Sequence, residues 1–289
     1  MPDSPAEPPF RRIGPEAPAS PVVLSVPHAG RHYSDALLRA SRLPREKLEI
    51  LEDRLVDRLI WRAVAAGASA IVASSPRAEI DLNRDEREID PSTIIPPPSS
   101  RSVLQSPRTR GGLGLIPTRI AGAGSIWLHR IPQDEVRRRI EEVHRPYHAA
   151  IAEALELART TFGVAILLDC HSMPTRDPEN SGEAALVFGD RHGTSISADL
   201  LDAALAASQA AGFTAACNSP YAGGHITSRH GDPATAVHGL QLEIDRALYL
   251  DGDLRSPGPG FNRVAELIAA IVLALADRAL GSKFAIAAE

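Results

Sequence analysis

The chain has 289 residues, of which 44% are hydrophobic and 23% charged, so it can bury a substantial core and fits one large α/β domain. Its formal net charge of -5 provides no basic surface for nucleic acid or anionic membranes, which makes a small molecule the expected partner. Two cysteines exclude a disulfide scaffold and favour a cytoplasmic location. The N-terminus does not resemble a secretory signal, and the longest apolar run, 267–276, has about half the length that crosses a bilayer.

Residues 1–20 contain six prolines and few large apolar side chains, a composition that favours an extended tail. We therefore expect a single domain over residues 21–289. Apolar runs and amphipathic patterns alternate along this part of the chain. The predicted strands are 22–26, 70–73, 164–172, 184–189, 213–217 and 240–244, and the predicted helices are 44–66, 132–160, 195–211 and 262–280.

The alternation of strands and helices predicts a mainly parallel α/β sheet with a layer of helices on each face. We expect the helix over 44–66 to be continuous or broken once, and the helix over 132–160 to kink at Pro146. The segment 90–118 is rich in Pro, Gly, Ser and Arg, so it is expected to be a long loop, with a lid as its candidate role.

The stretch 164–172 is the centre of the predicted fold, because its apolar run ends in Asp169, Cys170, His171 and Ser172. A continuous apolar run indicates a strand that is covered on both faces. Ligands of parallel sheets bind beyond the carboxyl ends of the strands, and His28 also follows an apolar strand. Both histidines are therefore expected on the same edge of the sheet.

Two imidazoles on one edge suggest a metal site. Catalytic zinc takes three protein ligands of nitrogen and oxygen type and keeps one open position. A carboxylate would supply the third ligand, and spacing alone does not choose among the candidates. These candidates are Glu52, Asp53, Asp57, Asp81 and Asp169.

Three further segments carry groups that could act on a substrate. Arg77, Asn83 and Arg84 could bind a carboxylate. An equally good explanation of this segment is a charged surface cluster of Asp81, Arg84, Asp85, Glu86 and Arg87. Glu243 lies within an apolar run, which suits either a general base or a salt-bridged residue at a strand end. The segment 223–231 is a polar loop bounded by glycines, which suits close approach to a ligand.

Other reactive side chains are less favoured. Ser172 follows His171 directly, and adjacent strand residues point to opposite faces, so the two do not suit a nucleophile and base. The motif G-x-S-x-G is absent from the sequence. His144 and His148 flank Pro146 within a predicted helix and are expected to be solvated or packing residues rather than metal ligands.

An ordered set of motifs resembles the N-formylglutamate amidohydrolase family. The motifs are Val26-Pro27-His28-Ala29-Gly30, Glu52-Asp53, Ile80-Asp81-Leu82-Asn83-Arg84, Arg145-Pro146-Tyr147-His148, Asp169-Cys170-His171-Ser172, Gly223-Gly224-His225-Ile226-Thr227 and Gln241-Leu242-Glu243-Ile244. They follow the order of the family and span residues 22 to about 250. The resemblance implies a three-layer α/β/α fold with a mixed, mainly parallel sheet, similar to that of zinc carboxypeptidases and aspartoacylases.

The resemblance also implies roles for single residues. It assigns zinc to His28, Asp53 and His171, with Asp53 matching the acid of the family's metal-binding segment. It further implies that Glu243 is the general base and that Arg77 stabilises the oxyanion. The residues that it implies for binding the substrate are Asn83, Arg84 and Arg229.

These roles predict zinc-dependent hydrolysis of the amide of an N-formyl amino acid such as N-formylglutamate. The chain departs from the family pattern after Asp53, at Arg54 and Leu55, and in the loop 223–231, where the arginine and histidine are displaced by one position. The resemblance therefore predicts the chemistry more directly than the substrate. The alternatives are another zinc N-acyl amino acid hydrolase or metallopeptidase, and a non-catalytic relative that binds a small ligand.

Overall fold

Eleven strands occur in the computed structural model, which describes residues 7–175 and 184–286. They are β1 (Phe10–Ile13), β2 (Val22–Val26), β3 (Ser69–Ala73), β4 (Ile94–Ile95), β5 (Arg119–Ile120), β6 (Gly124–Ser125), β7 (Ile131–Pro132), β8 (Ala165–Met173), β9 (Leu186–Gly189), β10 (Ala215–Cys217) and β11 (Val237–Asp245). Seven of them form one sheet in the order β1-β3-β2-β8-β11-β9-β10. Two small two-stranded sheets, β4 with β7 and β5 with β6, complete the set.

The sheet is mixed. β8 runs parallel to both of its neighbours, β2 and β11, and β9 is parallel to β10, whereas β11 is antiparallel to β9. The predicted fold class, an α/β fold with a mixed and mainly parallel sheet, is therefore confirmed. Because β2, β8 and β11 run in the same direction, their carboxyl ends lie at the same edge, and Glu243 is in register with His171.

The central strands are buried because their sequences are apolar on both faces. All nine residues of β8 are buried, and in β11 the first residue alone is half-buried. Burying one Leu, Ile or Val side chain contributes about 1.5–3 kcal/mol to folding. The polar residues at the carboxyl ends of these strands are thus held by a rigid apolar core.

Ten α-helices accompany the strands within the described residues. They are α1 (Asp35–Ala40), α2 (Arg45–Leu48), α3 (Val56–Leu59), α4 (Trp61–Ala65), α5 (Pro107–Arg110), α6 (Gln133–Arg139), α7 (Arg145–Phe162), α8 (Ala198–Ala210), α9 (His225–His230) and α10 (Phe261–Ile286). The predicted helices over 195–211 and 262–280 correspond to α8 and α10.

The helix predicted over 44–66 is interrupted at residues 52–55. Glu52 has an extended backbone, and Leu55 has a left-handed conformation with φ of 62°. A short 3-10 turn, Glu49–Leu51, precedes the interruption, and α3 and α4 follow it. The interruption places the buried side chains of Glu52 and Asp53 outside any helix, where both carboxylates make specific contacts.

The helix predicted over 132–160 contains a widened turn. A π-helical turn, Ile140–His144, joins α6 to α7, and the N–H of Arg145 donates to the carbonyl of Ile140. Pro146 follows at once and has no N–H to donate, so the wide turn accommodates it where a kink is expected.

Three segments differ from the sequence-based expectation. β1 belongs to the sheet although it lies within the proline-rich residues 1–20, because its four residues contain no proline. The segment 90–118 carries β4, α5 and two 3-10 turns, Pro91–Thr93 and Ser100–Ser102. The prediction of a loop over 223–231 is wrong for α9, which begins after Gly224 and ends before Gly231.

The pattern of contacts between residues divides the chain into two compact units. The smaller comprises the residues up to Arg11, Pro27–Glu52 and Val72–Ala149, and the larger comprises Arg12–Val26, Asp53–Ile71 and the chain from Ala150. The expectation of one domain from residue 21 stays a prediction. Within residues 7–175 and 184–286, no helix combines the length and the apolar character that a membrane span needs.

Candidate functional site

His28 lies two residues beyond β2 and is held by a buried carboxylate of the smaller unit. Its Nε2 is 2.7 Å from Oδ1 of Asp81. Arg77 donates to Oδ2 of Asp81 from Nε and from its terminal nitrogen, each at 2.9 Å, and Arg84 lies 3.7 Å away. Burial opposes ionisation of Asp81, but Arg77, Arg84 and His28 lower the pKa of this carboxyl well below its usual value. Asp81 is therefore a carboxylate that fixes the His28 ring.

The turn after His28 is fixed by close packing. A Cβ atom on Gly30 would lie 2.0 Å from the carbonyl oxygen of Ser75, so a larger residue would displace the backbone. The N–H of His32 donates to the carbonyl of Ser74 at 3.0 Å. The segment that carries His28 thus packs directly on the segment that leads to Arg77.

Asn83 and Arg84 follow Asp81 and are both buried. Arg84 donates from Nε to the carbonyl of Leu113 at 2.9 Å and from Nη1 to that of Asn83 at 2.6 Å. Burial lowers the pKa of Arg84, and Asp81 opposes that shift. The structure therefore brings Arg77, Asn83 and Arg84 together around Asp81, because the Asn83 N–H also donates to Asp81 Oδ1.

The alternative explanation, a charged surface cluster that runs from Asp81 to Arg87, is wrong for Asp81 and Arg84. The side chains of Asp81 and Arg84 are 0% and 5% exposed. A surface ion pair does follow them, since Arg87 Nε donates to Asp85 at 3.0 Å. The charged surface begins only after the buried group.

His171 lies in the larger unit, between two buried carboxylates. Its Nδ1 is 2.9 Å from Oδ2 of Asp53, and its Nε2 is 2.8 Å from Oδ2 of Asp169. Burial disfavours the charged imidazole, but Asp169, Asp53 and Glu243 raise the pKa of His171 well above its usual value. Three acidic groups thus concentrate negative charge around one imidazole.

Asp53 is oriented by residues at the ends of β8 and β11. Ser172 Oγ donates to Asp53 Oδ1 at 3.1 Å and accepts from Arg246 Nε at 3.0 Å. The terminal nitrogen of Arg246 lies 3.4 Å from the same carboxylate oxygen. The Ser172 hydroxyl therefore helps to fix Asp53.

Glu52, the acid before Asp53, has a different partner. Tyr33 donates its hydroxyl to Oε1 of Glu52 at 2.8 Å within the smaller unit. Burial and the charge of Glu52 raise the pKa of Tyr33. Among the acids left open by the sequence, Asp53 and Asp169 contact His171, Asp81 contacts His28, and Asp57 is half-buried on α3.

Glu243 is buried on β11, beside His171 on β8. Gln241 lies two residues earlier on the same face of the strand and donates from Nε2 to Oε1 of Glu243 at 2.8 Å. This hydrogen bond orients the carboxylate. Arg229, by contrast, is exposed on α9.

Sequence reasoning missed several contacts of these residues. Gln241 could have been found from its spacing to Glu243, because residues two apart on a strand share a face. The contacts of Tyr33 with Glu52 and of Arg246 with Asp53 join residues distant in sequence, so no local signal marks them. His144 and His148 are buried rather than solvated, and each contacts a backbone carbonyl.

His28 of the smaller unit, and Asp53 and His171 of the larger unit, are buried side chains that could each offer a ligand atom to a metal ion. Two imidazoles and one carboxylate are a donor set that suits zinc. Histidine ligands of metals almost always place their second ring nitrogen on a carboxylate, a carbonyl or water. His28 does so through Asp81 and His171 through Asp169, so the donor chemistry fits a metal.

Comparison with known proteins gives a consistent result. The family model for N-formylglutamate amidohydrolase matches residues 20–250. An N-formylglutamate deformylase of Pseudomonas putida is 30% identical over 239 residues, which cover 80% of this chain and 82% of the relative. A protein of the same name from Pseudomonas aeruginosa is 31% identical over 238 residues, with the same coverage.

A solved structure agrees with these sequence matches. The crystal structure of N-formylglutamate amidohydrolase from Ralstonia eutropha superposes with a TM-score of 0.85 and 33% identity, covering 93% of this chain and 97% of that one. Proteins with these names hydrolyse amide bonds. Because the family model matches most of its length, this chain belongs to the N-formylglutamate amidohydrolase family of hydrolases.

Proposed function

We propose that this protein is a zinc-dependent deformylase that hydrolyses N-formylglutamate, or a closely similar N-formyl amino acid, to formate and the free amino acid. Such a reaction would serve amino-acid degradation. The observation that carries the proposal is the pair of buried carboxylate–histidine contacts, Asp81 with His28 and Asp169 with His171. Both contacts use Nε2, so Nδ1 of each ring is the nitrogen that would face the metal.

The zinc ligands in this proposal are His28, Asp53 and His171. When bound, zinc supplies Lewis-acid chemistry, which polarises the acyl oxygen and makes water more acidic. The negative charge of Asp53, Asp169 and Glu243 around His171 favours a cation there, since buried charge is costly without a counter-charge.

Glu243 is the general base of the proposed reaction. Its carboxylate would take a proton from the attacking water and pass it to the nitrogen of the leaving amine. The hydrogen bond from Gln241 holds one carboxylate oxygen in place, so this group would not have to reorient during the reaction. Proton transfer from a positioned group typically contributes a factor of about 10²–10⁴ to the rate.

The basic residues would bind and polarise the substrate. Of the two arginines at Asp81, Arg77 is the more exposed, with 17% of its side chain accessible against 5% for Arg84. This exposure favours Arg77 as the group that faces the developing oxyanion. Asn83 and Arg84, in their rigid segment, would bind one substrate carboxylate, and the exposed Arg229 would bind the second carboxylate of a glutamate derivative.

A cytoplasmic location is part of the proposal. Cys170 and Cys217 are both free thiols, which fits a reducing compartment.

An assay of metal-loaded protein tests the proposed function. The purified protein should contain about one zinc per chain, and turnover of N-formylglutamate should exceed that of N-acetylaspartate and of short peptides. Metal removal should abolish turnover, and zinc should restore it. Faster hydrolysis of N-acetylaspartate or peptides would indicate another zinc hydrolase, and a protein that stays inactive after zinc addition would be a binding relative.

A further inference from the structure

Two buried histidines contact the backbone on either side of Asn83. His148 Nε2 lies 3.0 Å from the carbonyl oxygen of Leu82, and His144 Nε2 lies 2.8 Å from that of Arg84. A carbonyl oxygen only accepts, so Nε2 carries the proton and donates in both rings. The two histidines are 0% and 1% exposed, so water does not replace either hydrogen bond.

The segment 81–84 lies outside helices and strands, and other groups complete its hydrogen bonds. The N–H of Asp81 donates to the carbonyl of Leu115 at 2.7 Å, and the carbonyl of Asn83 accepts from Arg84. The carbonyls of Leu82 and Arg84 receive the two histidines. A buried carbonyl without a donor costs about 1–3 kcal/mol, so the histidines fix the peptide planes that flank Asn83.

The π-helical turn Ile140–His144 and the start of α7 present both rings on one side of the helical segment. His144 and His148 are four residues apart, and their ring centroids lie 4.4 Å from each other. Residues at this spacing face the same way along a helix, and π-helical turns often occur at functional sites. The proposed reaction has no direct use for either imidazole.

We infer that His144 and His148 are positioning residues, which hold Asn83 and Arg84 in the geometry that binds the substrate carboxylate. This assignment rests on the proposed function. Neither histidine touches the substrate in this role. They act through the carbonyls of Leu82 and Arg84, and loss of either donor would let the segment shift. A displacement of about 1 Å in a positioning group can cost up to 10²-fold in rate or binding.

Separate variants of the two histidines test the assignment. His144→Leu and His148→Leu remove the donor and retain an apolar side chain. We expect the KM for N-formylglutamate to rise about tenfold, with kcat changed by less than about threefold, because these variants should bind the substrate carboxylate more weakly. The affinity for L-glutamate, measured by calorimetry, should fall by a similar factor.

Amide replacements provide the rescue. His144→Gln and His148→Gln place an amide nitrogen near the original Nε2 position, so they should recover most of the wild-type KM. His144→Asn and His148→Asn place the amide near the Nδ1 position and should not. Should a leucine variant fail to fold, the comparison of the Gln and Asn variants carries the same test.

A buried histidine elsewhere is the matched control. His238 is 9% exposed, and its Nδ1 accepts from the N–H of Ser197 at 3.3 Å. His238→Leu should lower the melting temperature and leave KM unchanged. Leucine variants of His144 and His148 that behave in the same way, or equal KM values for the Gln and Asn variants, would overturn this assignment alone. An inactive wild-type enzyme would overturn the proposed function and the assignment together.

Discussion

Glu243 is the residue on which the proposed chemistry depends most directly. Its carboxylate is buried and receives a hydrogen bond from Gln241, so replacement by glutamine preserves size and packing. We expect Glu243→Gln to lower kcat by about 10²–10⁴-fold while zinc content stays at the wild-type level. Steady-state kinetics and metal analysis on the same preparation measure both quantities.

A distant glutamate controls for the loss of one negative charge. Glu266 lies on α10 and pairs with Arg62 at 3.2 Å. Glu266→Gln should keep wild-type kinetics. Full activity in Glu243→Gln would show that another group is the base.

Some residues of the candidate site can be predicted from the sequence alone. His28 and His171 follow apolar runs of the sequence, and Glu243 is a charged residue within such a run, so local patterns mark all three. The family resemblance alone indicates Asp53, because spacing does not separate it from Glu52. The contact of His28 with Asp81 joins residues 53 positions apart, and no local pattern reports such a pairing.

Some helices and strands can likewise be predicted from local sequence, whereas others depend on contacts with distant parts of the chain. The apolar runs predict β2, β8 and β11, since strands buried on both faces need continuous apolar sequence. The break at residues 52–55 depends instead on the hydrogen-bond partners of the Glu52 and Asp53 carboxylates. Hydrophobic periodicity carries no information about such partners. β1 depends on a neighbouring strand for its hydrogen bonds, so the composition of this segment alone does not predict a strand.

The first turn of α6 carries a pH-sensitive ion pair. Burial alone would raise the pKa of Glu135, but hydrogen bonds from Arg138 and Arg139 lower this pKa from 4.5 to about 2. The carboxylate therefore stabilises the folded state fully above pH 4.5, and this contribution is lost as the pH falls towards 2. Because the group is partly exposed, the stabilisation should stay below about 1 kcal/mol.

Glu135→Gln should therefore be less stable than the wild type at pH 7, and the difference should shrink as the pH falls from 4.5 to about 2. Urea unfolding at several pH values measures the free energies of unfolding. Glu141→Gln, at an exposed site in the following turn, should show no comparable dependence. A difference that is constant with pH would mean that the ion pair does not stabilise the helix.

At the scale of the whole molecule, metal binding and folding should be coupled. The proposed ligands His28, Asp53 and His171 are far apart in sequence, so an unfolded chain does not present them together. A ligand that binds only the folded state raises the free energy of unfolding by about 2.7 kcal/mol at 100 times its Kd. For a chain of this size, that corresponds to a rise in Tm on the order of 5–10 °C.

Thermal unfolding of metal-free protein, with and without added zinc, measures this rise. The zinc-induced shift should disappear in His171→Ala, which lacks one proposed ligand, whereas Asp57→Ala, at a half-buried acid on α3, should keep it. Magnesium should have little effect on the wild type, because it prefers an octahedral set of oxygen ligands. A zinc-induced shift of equal size in His171→Ala would exclude His171 as a ligand, since the metal would then bind elsewhere.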